Sequence, residues 1–323
     1  MGGLGNKRAW IIWAVGAVVF GLVPWVQTNA YHLLLAAHVM LWGMFAVAFN
    51  MLFGLTGMLS FGQALYYGLG AYSVGLMVHY LGSQWFLPGM VLGIVGAAVL
   101  SALLGLLIIR VSGVFFTMLT LAFGQLGWQI MFKWYEFTGG DDGIQGIIPP
   151  GILANQTVYY YFVMVLVALS LWILWRIAGS PLGLVLRCVR QNPVRVRFLG
   201  RRVRRNQLRI YVISSVFAAL AGALMAGVDN SIHTDMFYWT TSGDVILMSI
   251  LGGIRQFFGP FIGATVIIII EDVVGAFTEY WSLIIGLVMM GMVIGLPRGI
   301  VGELRRVRWW AKAGGSDAAH TGR

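Results

Sequence analysis

Few residues in this 323-residue chain could do chemistry, and their spacing excludes most of it. Lys7, Lys133 and Lys312 are its only lysines. None stands in the G-x-x-x-x-G-K-[ST] pattern that brings a lysine to nucleotide phosphates. The chain supplies no P-loop ATPase of its own; if it uses ATP, a partner hydrolyses it. A G-x-S-x-G elbow for a nucleophilic serine is missing too. One cysteine, Cys188, makes neither an internal disulfide nor a thiolate cluster. The five histidines (32, 38, 79, 233 and 320) form no H-x-x-x-H pair. No catalytic residue, metal or cofactor is expected.

The remaining polar groups are notable for where they sit. Asp244, Glu271 and Asp272 lie in or beside long apolar runs. A carboxylate at the centre of a membrane helix costs about 2.5–3.5 kcal/mol. These three therefore either pair near an interface or serve a proton relay. In Leu59–Tyr72, Ser60 and Gln63 carry hydrogen-bonding groups among Gly62, Gly68 and Gly70, which weaken a helix. A broken helix lining a path is one reading, and polar contacts between packed helices are the other. Phe61-Gly62-Gln63 returns as Phe123-Gly124-Gln125, a possible parallel duplication. Thr138-Gly139-Gly140-Asp141-Asp142-Gly143 is a turn-rich stretch, either a capped turn or a docking and gating surface.

The elements that position these residues are membrane helices. Hydrophobic residues make up 59% and charged residues 10%, with a mean hydropathy of +0.84. A soluble domain carries about 25% charge. Ten apolar runs can be read, each near the length that crosses a bilayer as a helix. They are Trp10–Val26, His32–Gly54, Met58–Leu81, Trp85–Ile109, Val114–Phe132, Val158–Ile177, Ile210–Val228, Met236–Gly253, Phe257–Val274 and Trp281–Leu296. The expected fold is an all-α polytopic membrane helix bundle with both termini cytoplasmic. Its parts are a cytoplasmic N-terminal stretch 1–9, a transmembrane domain 10–297 and a basic cytoplasmic tail 298–323. The first run is read as a transmembrane helix rather than a cleaved signal peptide, because the alternation below needs it.

Charge sets the orientation. Sixteen of the 21 lysines and arginines lie in 176–209 and 298–323, and 176–209 has no Asp or Glu. The positive-inside rule explains the net charge of +10 better than nucleic-acid binding does; anionic lipid headgroups are a further partner. The short core Gly243–Gly253 suggests a re-entrant half-helix. Re-entry would send Arg298, Arg305, Arg306, Arg308, Lys312 and Arg323 to the wrong side, so a broken or tilted crossing is expected. Glu136, Asp141, Asp142, Asp229 and Asp235 then fall outside, with Glu279 at that edge. Gly89-x-x-x-Gly93, Gly259-x-x-x-Gly263 and Gly291-x-x-x-Gly295 read as close-packing sites.

Within the loop 178–209, Ser180-Pro181 reads as an N-cap with proline in the first turn. Leu182, Val185, Leu186 and Val189 recur at helical spacing, with Arg187 and Arg190 elsewhere on the helix. Asn192-Pro193 ends that helix, and a second runs to Leu199 before Gly200. Two short helices suit a docking platform.

Several pieces taken in order resemble the LivM-type permease subunit of ABC importers for branched-chain amino acids. They are Leu59–Tyr72 (LSFGQALYYGLGAY), Phe116–Phe123 (FTMLTLAF), Thr138–Gly146 (TGGDDGIQG), Ser180–Gly200 (SPLGLVLRCVRQNPVRVRFLG), Val245–Gly253 and Leu296–Val301 (LPRGIV). The resemblance implies a second homologous permease subunit, two cytoplasmic ATP-binding subunits and a periplasmic solute-binding protein in a bacterial inner membrane. It places ATPase coupling at Arg187, Arg190, Asn192, Pro193 and Gly200. It is compatible with a path at Ser60, Gln63, Gln125 and Asp244, and an outer docking or gating loop at Thr138, Asp141 and Asp142. Pro193, Val196, Arg197 and Phe198 depart from the family's small and acidic residues there; Asp244 stands for Glu and Gln63 for His. Relatives that carry urea, short amides or aromatic acids keep the solute open. A stand-alone ion-coupled carrier using Asp244 or Glu271 is the rival reading.

Overall fold

The computed structural model describes residues 20, 21, 24, 30–275, 277, 281–295 and 299–303. Most of the first apolar run, the basic tail and Glu279 lie outside the described residues. The other nine runs each hold a helix.

Helix α1 (Ala30–Thr56) is apolar on all sides and is buried along most of its length, as a helix at the centre of a bundle must be. The chain then leaves helical geometry at Gly57 and re-enters it as α2 (Gln63–Leu81). After these come α3 (Phe86–Ile108), α4 (Val114–Lys133) and α5 (Gln156–Gly179). Two short helices, α6 (Pro181–Gln191) and α7 (Pro193–Phe198), lead to α8 (Val203–Asp229). The chain closes with α9 (Trp239–Gly252), α10 (Gly259–Gly275) and α11 (Trp281–Gly295). Among the described residues, five segments are long and apolar enough to cross a membrane: α1, α3 with its preceding turn (Ser83–Ile108), α4, α5 and α8.

The helices alternate in direction, so the charges sort to two ends. At one end, Arg190 reaches Gly54 near the close of α1, and Asn50 donates to the carbonyl of Gln256 in the α9–α10 turn. At the other, Gln156 donates to the carbonyl of Ala30, and Tyr80 donates to the carbonyls of Glu136 and Phe137. A two-residue antiparallel pairing of β1 (Ile144–Gln145) with β2 (Ser231–Ile232) joins the two long loops there. The first end is basic and the second acidic.

The core is the crossing of α2 and α8. A Cβ on Gly70 would collide with the Ala219 carbonyl, and one on Gly222 with the Tyr67 carbonyl. The two backbones therefore touch, the geometry small residues permit in membranes. Helix α3 buries Gly89, Gly93, Ala97, Ser101 and Gly105, one side chain every four residues, against α2 and α8. Its Val91, Leu92, Val95, Val99 and Leu103 face outward. Gly259 and Gly263 pack on Gly252 and Met248, which closes the α9–α10 hairpin.

Helix α8 starts at Val203, seven residues before the apolar run at Ile210. Arg204, Arg205 and Arg209 extend it because arginine favours helix and keeps its charge in water. Helix α9 has 14 residues, about 21 Å at 1.5 Å per residue. It is short because the chain enters the bundle as a single 3-10 turn, Thr234–Phe237, and an extended Tyr238 before the α-helix begins. Phe237 rests on Gly68 and stacks edge-on to Tyr72 before α9 begins. At the far end of α9 the turn at Gln256 meets Asn50 of α1 at the basic end.

Candidate functional site: a basic platform and a polar seam

The platform is built from α6 and α7. Pro181 occupies the first turn of α6 and Pro193 that of α7. Asn192 caps α7, its Oδ1 accepting from the amides of Val194 (3.1 Å) and Arg195 (3.0 Å). Ser180 does not cap α6 through its side chain; its hydroxyl turns back to donate to the Ile177 carbonyl at 2.7 Å. Gly200 has φ 74°, the left-handed turn that ends the platform. Val189, Val196 and Val203 form a small core beneath it, with Val185 against them.

Arg187 and Arg190 face the bundle. Arg187 donates to the Ala178 carbonyl at 2.5 Å and Arg190 to the Gly54 carbonyl at 2.6 Å. Those carbonyls belong to the last turns of α5 and α1, where a cation satisfies acceptors left free by the helix end. Burial, and then the neighbouring Arg255 guanidinium, pull Arg190 below its usual value. The free face carries other residues. Phe198 is 87% exposed and Leu199 79%, framed by Arg195, Arg197, Arg201 and Arg202. Sequence reasoning missed this pair, although two apolar residues before a glycine in a basic stretch were the available signal.

At the other end, Thr138 is buried. Its hydroxyl donates to Met131 (2.6 Å) and Trp134 (2.9 Å) and accepts from the Gly140 amide. Gly139, Gly140 and Gly143 all have positive φ. This shapes a turn with Asp141 and Asp142 on its surface. The Tyr135 hydroxyl donates to Asp142 at 2.6 Å, and that bond raises the Tyr135 phenol above its usual value. Deeper in, His38 Nε2 and Asp229 Oδ1 meet at 2.7 Å, and the Tyr31 hydroxyl donates to Asp272.

Between the ends runs a seam where α2, α4 and the segment leading into α9 meet. The Phe61 amide donates to Thr120 Oγ1 (3.2 Å), Thr117 Oγ1 to the Leu59 carbonyl (3.0 Å), and the Ala64 amide to Ser242 Oγ (2.8 Å). Ser60 and Gln63 are fully buried. Gly124 faces Phe61 and Gly62, so the stretch that holds Ser60 and Gln63 runs against the turn of α4 that carries Gln125. The two Phe-Gly-Gln triplets differ locally: the first spans the break before α2, the second lies inside α4, and they touch each other. Asp244 is elsewhere. It sits on the exposed side of α9, within electrostatic reach of Glu271 on α10, while its neighbour Ser242 faces the seam.

A helical bundle with sorted charge and a basic two-helix platform at one end suits a multi-pass membrane transport protein. Residues 31–293 match the family described as branched-chain amino acid transport system, permease component, and the chain belongs to that family. The high-affinity branched-chain amino acid transport system permease protein LivM of Escherichia coli K12 is 27% identical over 294 residues, covering 83% of this chain and 69% of that protein. LivM of Salmonella typhimurium gives the same identity and coverage. The probable branched-chain amino acid transport permease protein LivH of Methanocaldococcus jannaschii is 26% identical over 166 residues, 47% of this chain and 49% of that protein. No solved structure matches the chain.

Proposed function

We propose that this protein is the permease subunit of an ABC importer that carries branched-chain amino acids across the bacterial inner membrane. It pairs with a second homologous permease subunit. A periplasmic solute-binding protein delivers the solute at the acidic end, against the loop with Thr138, Asp141 and Asp142. Two cytoplasmic ATP-binding subunits act at the basic end. The solute passes by Ser60, Gln63 and Gln125, with Asp244 on the α10 side. The chain spans the membrane ten times with both termini inside.

The observation that carries this reading is the platform. Its arginines Arg187 and Arg190, with the Asn192 cap, Pro193 and the Gly200 turn, fix two helices against the ends of α1 and α5. What is left facing away is an apolar pair in a basic frame. A motor that closes on ATP needs such a rigid handle on a chain that holds no P-loop. Reconstitution into proteoliposomes tests it. Radiolabelled leucine uptake is expected only with ATP, both ATP-binding subunits and the binding protein. Uptake by this chain alone, abolished by a proton or sodium ionophore, would instead establish an ion-coupled carrier.

A further inference from the structure

The seam contains more polar groups than it uses. Both amide atoms of Gln63, the Tyr72 hydroxyl, the Gln125 amide oxygen and the Trp128 indole N–H are buried and meet no partner among the described residues. Gln63 and Tyr72 are at most 1% exposed. An unpartnered buried polar group is destabilising, and four side chains of this kind on two packed helices call for an explanation.

Three of them share one locus, and Tyr72 lies further along α2. Helix α2 lies on α4 through Gly62 against Gly124 and Leu65 against Gly127. Gln63, Gln125 and Trp128 therefore flank a single contact about one helical turn long. Trp128 packs at a tilt against Tyr238 with ring centroids 5.0 Å apart, and Tyr72 meets Phe237 edge-on at 5.3 Å. Helix α9 begins just beyond Tyr238, and its Ser242 accepts from the α2 amide of Ala64. Two interrupted helices entering from opposite ends thus meet at the locus, the arrangement in which membrane carriers hold solutes near the midplane.

The chemistry of the groups narrows the ligand. Helix α2 contains no Asp, Glu, Lys or Arg, and α4 contains only Lys133 at its far end. The segment Thr234–Ser242 adds one carboxylate, Asp235. Neutral donors and acceptors beside aromatic rings suit a solute without net charge, polar at one end and apolar at the other.

We propose that the α2–α4–α9 seam is the intramembrane binding site for a zwitterionic amino acid. This rests on the importer reading above and places the solute within it. The Trp128 indole and the Gln63 amide N–H donate to the carboxylate. The Gln63 and Gln125 amide oxygens accept from the ammonium, and Phe237 and Tyr238 cover the apolar side chain. In the structure described, Phe237 and Tyr238 lie against α2 and α4, so the seam is closed.

The test uses the complete assembly in proteoliposomes with radiolabelled leucine as probe, and the variants Gln63→Met and Trp128→Phe, which keep bulk and remove polar atoms. Expected is a fall in uptake of about tenfold or more, the loss of one or more hydrogen bonds to the solute. Binding-protein-stimulated ATP hydrolysis should persist, and Tm should hold or rise, since an unsatisfied group is gone. Wild-type uptake in both variants would overturn the site. So would a lowered Tm in both, with uptake falling only in proportion to folded protein. Those results leave the importer standing; the absence of ATP-dependent uptake by the wild-type assembly would overturn both.

Discussion

The α2–α8 crossing and the α6–α7 platform show two ways of fixing helices in one chain. At the crossing, backbones meet through Gly70 and Gly222, and side chains interlock around them. On the platform, a few valines, Leu186 set into the bundle core and two arginine–carbonyl bonds hold the helices. The first arrangement leaves no room for change. The second leaves Phe198 and Leu199 exposed and replaces packing with charge. The platform is joined to the bundle at its base and leaves its exposed apolar pair facing away from it.

The comparison breaks most readily at the crossing. Gly70→Leu or Gly222→Leu drives a side chain into a facing carbonyl and forces the helices apart. Overpacking of cores costs about 1–3 kcal/mol and sometimes more, and contact with backbone puts these at the upper end. Loss of monodisperse detergent-extracted protein is expected; recovery with wild-type Tm would show that the helices can separate.

Arg190→Ala comes next. A hydrogen bond to a charged group contributes about 1.5–3 kcal/mol, here less because the arginine is partly exposed. Faster proteolysis within 192–202, with the bundle Tm barely moved, is expected. Equal loss of both would mean that platform and bundle are one unit.

The double variant Phe198→Ala with Leu199→Ala sharpens the contrast from the other side. Exposed positions change stability by about 0.5 kcal/mol or less, so Tm should hold while co-purification of the ATP-binding subunits falls. Unchanged co-purification and unchanged coupled hydrolysis would remove the platform from the docking role. The smallest effect is at the acidic end. Asp142 raises the Tyr135 phenol, so their bond contributes fully below the unfolded phenol value, about 10. The contribution is lost as pH rises through the folded value. Tyr135→Phe should remove this alkaline dependence in a Tm-versus-pH series and change little at pH 7.

Much of this was legible in the sequence because membrane helices announce themselves by apolar length. Proline and asparagine likewise mark turns by fixed chemistry, which is why Ser180–Gly200 resolves into two helices ending at Gly200. The partners of polar groups were not legible. Nothing in the spacing of Arg187 and Arg190 says that carbonyls of Ala178 and Gly54 lie within reach. The pairing of Ile144 with Ile232 joins loops far apart in the chain. His38 and Asp229 meet only because α1 and α8 run side by side in opposite directions. Gln63 was read as one of two open alternatives, and burial without a partner distinguishes it from an interhelical bond.

One feature of α8 bears on how force crosses the membrane. It is a single unbroken rod of 27 residues, about 40 Å, from the edge of the platform to Asp229 at the acidic end. Its first residue shares the small core with Val189 and Val196. Its last turn is clasped to α1 by His38. Pivoted near its midpoint, such a rod works as a lever. A tilt of about 10° carries each end about 3.5 Å in opposite senses. A pull on the platform at the basic end is thereby felt at the acidic end as a push.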